Sequence, residues 1–232
     1  IGAAYGSAGE RCMALPVVVP VGQDTAERLR AKLVAAIGGL RVGISTDREA
    51  QFGPVVTAQH KARIENYIEM GIREGAELVL DGRGFTLQGH ESGYFLGPSL
   101  FDHVTPDMQS YCDEIFGPVL QIVRAETLDE AIGLASEHAY GNGVAIFTRD
   151  GGAARAFASQ VQVGMVGINV PIPVPIAYHS FGGWKRSAFS DHNQYGEEGF
   201  RFFTRVKTVT QRWPDTAVGA DKQDAFLIPT LA

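Results

Sequence analysis

Cysteine is scarce in this chain, with two in 232 residues, Cys12 and Cys112. No CxxC pair, HExxH run or Cys/His cluster has metal-ligand spacing, which argues against a disulfide scaffold and against a zinc site. No metal is expected, and a reducing compartment fits. Positive charge is also in short supply: the net charge is -6 with a pI near 5.5. Nucleic acid and anionic membrane surfaces both select for a basic face, so neither is expected as a partner. No apolar run approaches the roughly 20 residues that span a bilayer. The longest, at 15–21, is broken by Pro16 and Pro20. A Gly-rich phosphate-binding turn after a strand is missing too. The GNG at 141–143 precedes a strand and has the wrong spacing. There is no initiating Met, and no signal peptide is visible. The chain opens inside what reads as a packed element, so the expectation is a piece of a longer protein.

What is present is a regular alternation of helix-like and strand-like segments. LPVVVPVG (15–22) reads as a buried strand. Residues 25–37 carry Ala26, Leu29, Leu33, Ala36 and Ile37 at helical spacing, ended by Gly38 and Gly39. Thr57 is placed to cap a helix whose Ile64, Ile68 and Ile72 share a face, with Gly75 as its stop. AELVLDG follows as a strand. Thr127 and Glu130 form a capping-box pattern, in which hydroxyl and carboxylate satisfy helix amides reciprocally. Then come a strand at 143–150, a helix at 153–161 and a strand at 165–170. Near-continuous apolar strands between helices predict an α/β domain with a largely parallel sheet and flanking helices. Three prolines at 171, 173 and 175 make 169–183 a shaped loop instead of a strand. Residues 200–213 alternate like an edge or intersubunit strand.

Three stretches carry candidate chemistry. In GSAGERCMAL (6–15), Cys12 follows small residues that leave room for a ligand beside the backbone. Arg11 could favour thiolate, the reactive form of a thiol whose free pKa is roughly 8.5. A buried, inert cysteine beside a solvated arginine is the competing reading, and the local residues permit both. In EIFGPVLQI (114–122), Glu114 could accept hydrogen bonds from ribose hydroxyls and Phe116 could stack on a ring. In isolation, a solvated Glu and a core Phe are the better reading. SFGGWKRSAF (180–189) offers a tight turn and a cationic rim or plain surface. Cys112, two residues before Glu114, reads as a passive thiol.

Taken together and in order, GSAGERC, EIFGPV, SFGGWKRS and FTRVKTV resemble the catalytic half of the aldehyde dehydrogenase superfamily over nearly the whole chain. YGNGVAIFT (140–148) and VGINVPIPVP (166–175) resemble its coenzyme A-acylating branch, the methylmalonate-semialdehyde dehydrogenases. The resemblance implies that Cys12 is the nucleophile and forms a thioacyl-enzyme, and that its backbone amide is an oxyanion donor. It implies that Arg11 binds the substrate carboxylate, that Glu114 holds the nicotinamide ribose of NAD with Phe116 as the aromatic beside it, and that 169–175 walls the pocket. Deacylation by coenzyme A with decarboxylation would release propionyl-CoA or acetyl-CoA. The implied organisation is a catalytic domain at 1–196 and an oligomerisation strand and tail at 197–232, with the NAD-binding domain outside this chain. A homodimer or homotetramer through 200–213 follows, in the cytoplasm or, in a eukaryote, the mitochondrial matrix. Alone, the chain is expected to be inactive. The alternatives are an inactive self-associating fragment, or an aldehyde dehydrogenase domain for another aldehyde.

Overall fold

A computed structural model describes residues 1–189 and 191–211 of the chain. The opening residues form a short helix α1 (Gly2–Tyr5) and a 3₁₀ turn (Gly6–Gly9), then lead to strand β1 (Val17–Val18) and helix α2 (Gln23–Gly38). Helix α3 (Ala58–Glu74) starts where the Thr57 hydroxyl accepts from the His60 amide at 3.0 Å. It stops at Gly75, whose φ of 101° is a left-handed geometry that glycine adopts without penalty. Strands β2 (Glu77–Leu80) and β3 (Ser99–Asp102), helix α4 (Gln109–Cys112) and strand β4 (Val119–Ile122) follow. The second half comprises α5 (Leu128–Glu137), β5 (Tyr140–Gly141), β6 (Gly143–Ile146), α6 (Gly151–Gln160), β7 (Met165–Ile168), β8 (Trp184–Lys185) and α7 (Glu198–Phe203).

The main sheet has the order β1-β4-β3-β2. Strand β4 is parallel to both β1 and β3, and only the edge strand β2 runs antiparallel. Every residue of β3 and β4 is buried, which is why neither alternates in sequence: helices cover both faces. Ile64 and Ile68 of α3 pack there with Leu100, Phe101 and Ile122. The Tyr5 hydroxyl donates to the Ser99 carbonyl at 2.8 Å, and burial pushes that phenol's pKa well up. A smaller apolar cluster joins Ile132 of α5 to Phe157 of α6, under the parallel pair β6 and β7. Strands β5 and β8 form a separate antiparallel pair.

The strand expected over 143–150 ends at Ile146, because Asp150 accepts the Gly152 and Ala153 amides and caps α6. Three further details differ from the sequence reading. Only two residues of the expected 15–22 strand pair regularly, because Pro16 and Pro20 have no N–H to donate, although their carbonyls still accept from Gln121 and Ala125. In the Thr127 cap, the hydroxyl accepts from the Glu130 amide as expected, but the Glu130 carboxylate receives the amide of Glu126, one residue earlier. Residues 200–203, expected in a strand, are the end of α7. An isolated edge strand has nothing to bond with, whereas a helical turn satisfies its own amides. The Glu198–Arg201 ion pair at 2.8 Å adds to that turn. Residues 204–211 have no regular secondary structure, and 212–213 lie outside the described residues.

Candidate active site

The cysteine loop is built from unusual backbone. Ser7 and Ala8 have φ of 55° and Gly9 has 73°, three successive left-handed residues. Such geometry costs a non-glycine residue about 1–3 kcal/mol and persists where neighbours enforce it. Here the neighbour is the 114–118 turn. A Cβ on Gly9 would lie 2.0 Å from the Gly117 carbonyl oxygen, so only glycine allows the two segments to touch. On the far side of the contact, a Cβ on Gly117 would meet Ile64 of α3 at 2.6 Å. The nucleophile candidate is therefore carried on a loop pressed against the turn that bears Glu114 and Phe116.

Cys12 itself is exposed. Its carbonyl accepts from the Asn142 side chain at 2.9 Å, and the same nitrogen lies 3.2 Å from Met13 Sδ. Its backbone amide has no hydrogen-bond partner among the described residues. The Arg11 carbonyl, in the same planar peptide as that N–H, accepts the Ala14 amide at 3.1 Å, so a free and already oriented N–H is available as an oxyanion donor. Arg11 turns back over its own loop. Its Nε donates to the Ser7 hydroxyl at 3.1 Å, and the guanidinium lies over Gly6, where a Cβ would be 2.9 Å from Nη1. The two terminal nitrogens have no partner among the described residues, which leaves the end of the fork open to a carboxylate.

Arg11, Glu114 and Phe116 line one hollow together with Gly9 and Ala14. It is an open hollow of about 30 Å³, room for little more than water. What this chain offers is one wall of a site. A roomier hollow of about 200 Å³, lined by residues such as Gly43, Asp47 and Phe52, shares no residue with that wall. Cys12 lines neither hollow; the smaller one is the candidate because Arg11, next to Cys12 in sequence, meets Glu114 and Phe116 there.

Glu114 is exposed, and Arg63 of α3 donates to its backbone carbonyl at 2.9 Å, leaving the carboxylate free to accept. Phe116 is half-buried and holds φ at 58°. Helix α3 organises this turn. His60 Nε2 is 2.7 Å from the Phe116 carbonyl, and Tyr67 donates to Asp113 at 2.9 Å. His60, Arg63 and Tyr67 recur at helical spacing and so present one face to the turn. The acceptor carboxylate and the aromatic fit the ribose end of a dinucleotide. A Gly-rich turn for its pyrophosphate is missing from the sequence.

The proline-studded loop folds back on β7: a Cβ on Gly167 would sit 2.2 Å from the Val170 carbonyl and 3.3 Å from Pro173. It is tied to β6 by the Asn169 amide, which donates to Ile146 at 2.8 Å. Cys112 Sγ lies 3.3 Å from the Pro106 carbonyl, away from the lining of the hollow. Glu77, Asp102 and His103 gather closely enough to suggest an ion. Both Asp102 oxygens, however, receive N–H groups of Arg124, at 3.0 and 2.6 Å, and Arg30 lies 3.4 Å away, so cations already fill that place. Four residues of the site went unassigned in the sequence: Glu10, His60, Arg63 and Asn142. Glu10 sits inside GERC and Asn142 inside GNG, but their roles come from contacts 46 or more residues distant in sequence, which no local pattern carries.

The family model described as "Aldehyde dehydrogenase family" matches residues 1–209. Malonate-semialdehyde dehydrogenase of Pseudomonas aeruginosa is 57% identical over 226 residues, 97% of this chain and 46% of that protein. The mitochondrial acylating methylmalonate-semialdehyde dehydrogenase of Arabidopsis thaliana is 48% identical over 93% of this chain and 35% of its own length. A Sinorhizobium meliloti protein, assigned as a methylmalonate-semialdehyde dehydrogenase and crystallised with NAD, superposes with a TM-score of 0.88 at 60% identity. That match covers 93% of this chain and 44% of the crystallised one. The chain thus spans less than half the length of the relatives it matches.

Proposed function

This chain belongs to the aldehyde dehydrogenase family, and we propose that it is the catalytic portion of an NAD-dependent, coenzyme A-acylating dehydrogenase for malonate or methylmalonate semialdehyde. The observation that carries this reading is the convergence of Arg11, Glu114 and Phe116 on one hollow, with Cys12, the residue that follows Arg11, exposed and its amide free.

Each role follows from what its group can do. The Cys12 thiolate bonds to the aldehyde carbon, and the carbonyl π pair moves to oxygen as an oxyanion. The Cys12 amide donates to that oxygen. Arg11 grips the substrate's own carboxylate through the fork left open beside Ser7. Glu114 accepts from ribose hydroxyls and Phe116 packs beside the ring, which places the nicotinamide end at the hollow. Bound NAD supplies the two-electron acceptor that lets the Cys12 adduct become a thioester. The bond to the substrate carboxylate breaks to release carbon dioxide, hydrated to bicarbonate, and its electron pair with a proton from water makes a new C–H bond. Coenzyme A, as co-substrate, takes the acyl group through its thiol, whose proton returns to Cys12. Propionyl-CoA or acetyl-CoA is the product, depending on whether the substrate carries the methyl branch. The naming of the Arabidopsis relative as acylating supports this branch.

The same reading assigns residues 1–196 to catalysis and 197–232 to self-association as a dimer or tetramer. Val206 and Val209 are 98% and 63% exposed, a state that a partner strand would relieve. It also holds that residues 1–232 alone do not turn over, because NAD is held mainly by structure outside them. No helix among the described residues is long and apolar enough to cross a membrane. A cytoplasmic or matrix setting would keep Cys12 reduced. The test is activity of the longer protein that contains this chain: semialdehyde-dependent NADH and acyl-CoA formation, lost on C12A. NADH formation without coenzyme A consumption would instead indicate a non-acylating aldehyde dehydrogenase.

A further inference from the structure

We infer that His60 and Glu10 form a positioning pair that fixes the cysteine loop against the Glu114–Phe116 turn, an inference that rests on the dehydrogenase reading above. The two segments are about a hundred residues apart in sequence, yet one ring nitrogen joins them. His60 Nε2 is 2.7 Å from the Phe116 carbonyl and 3.2 Å from Glu10 Oε1. A carbonyl can only accept, so Nε2 carries a hydrogen that it donates to Phe116, and the Glu10 carboxylate lies within charge contact of the same nitrogen. Glu10 Oε1 also receives the Val56 amide at 3.3 Å, which ties the carboxylate to the segment leading into α3. The side chains are only 17% and 10% exposed, so water competes weakly for these bonds.

The two ends of this link are the points where the site needs support. Phe116 holds a left-handed φ that its own side chain disfavours, and the bond from His60 captures its carbonyl in that geometry. Glu10 is two residues before Cys12 and directly follows the strained 7–9 turn. His60 therefore sets the separation between nucleophile and ribose-binding turn without lining the hollow. A displacement of about 1 Å between reacting groups is enough to cost on the order of a hundredfold in rate. The pair acts on the geometry of the step, whereas Arg11 acts on substrate affinity.

The experiment uses the longer protein that contains this chain, with H60A, E10A, the double variant and H60Q. Rates are followed by NADH formation from malonate semialdehyde, and folding by circular dichroism. H60A is expected to lower kcat about five- to fiftyfold with KM for the semialdehyde within about twofold. E10A loses less, and the double variant is no slower than H60A, because the two residues share one link. H60Q, whose amide N–H can still reach the Phe116 carbonyl, recovers most of the rate. Wild-type kcat in H60A, or a double variant whose loss is the product of the single losses, would overturn the pair. Should H60A fail to fold, E10A at wild-type rate or H60Q without activity overturns it equally. A wild-type protein that oxidises no aldehyde defeats the dehydrogenase reading itself and is told apart by that fact.

Discussion

Two acidic residues illustrate how differently this fold uses charge. Asp102, at the end of β3, is fully buried and saturated by two N–H groups of Arg124 and one backbone amide, that of His103. Glu10, beside the cysteine, has one oxygen within reach of His60 and the Val56 amide, on a loop whose backbone is strained. Burial alone would raise the Asp102 pKa, but the Arg124 hydrogen bonds, the His103 amide and the nearby positive charges hold it below the usual carboxylate value. Asp102 closes the sheet and has no capacity left for a ligand. Glu10 links segments and leaves the amide and thiol next to it free. In this molecule saturation marks the scaffold, and incompleteness marks the site.

The largest expected effect is at Cys12. C12A should reduce turnover at least about a thousandfold, since no other group supplies the covalent step. Its melting temperature should stay within a degree or two of wild type, because an exposed side chain contributes little packing. A C12A protein that still turned over would erase the contrast between scaffold and site. Next is D102A, which removes the buried carboxylate facing Arg124 and Arg30, leaves Arg124 with Glu27 and Gln23, and should destabilise the fold by up to about 3 kcal/mol in denaturant titrations. The Asp102 contribution has a defined pH window. Its folded pKa is lowered, so the stabilisation is complete above the unfolded value near 4 and is lost as pH falls through the folded one. The stability gap between wild type and D102N should therefore be constant at neutral pH and narrow in acid. A gap that widened in acid would reverse the assignment. Smaller again is R11L, expected to raise KM for a carboxylated semialdehyde about tenfold or more while leaving an uncarboxylated aldehyde unaffected. An unchanged KM would fault the substrate assignment and leave Cys12 untouched.

Much of this contrast was legible in the sequence, unevenly. Helices announced themselves where Thr57 and Thr127 offered capping oxygens and Gly75 ended a periodic run, because those signals are local. The motifs around Cys12, Glu114 and Phe116 identified a family, and the structure brings Arg11, Glu114 and Phe116 to one hollow. What remained hidden depends on contacts between distant residues. Nothing near His60 signals that its ring meets residue 116, and nothing near Asp102 signals Arg124, 22 residues later. The alternating run at 200–213 misled over 200–203 because alternation describes a strand only when a neighbour exists to complete its ladder, and a single chain provides none there.

Alkylation of the longer enzyme's thiols by iodoacetamide, mapped by peptide mass and followed with and without NAD, tests the central assignment most directly. Modification of Cys12 should rise in proportion to lost aldehyde oxidation, and NAD should change its rate while leaving the rate at Cys112 unaltered. Full activity with Cys12 alkylated would contradict the account.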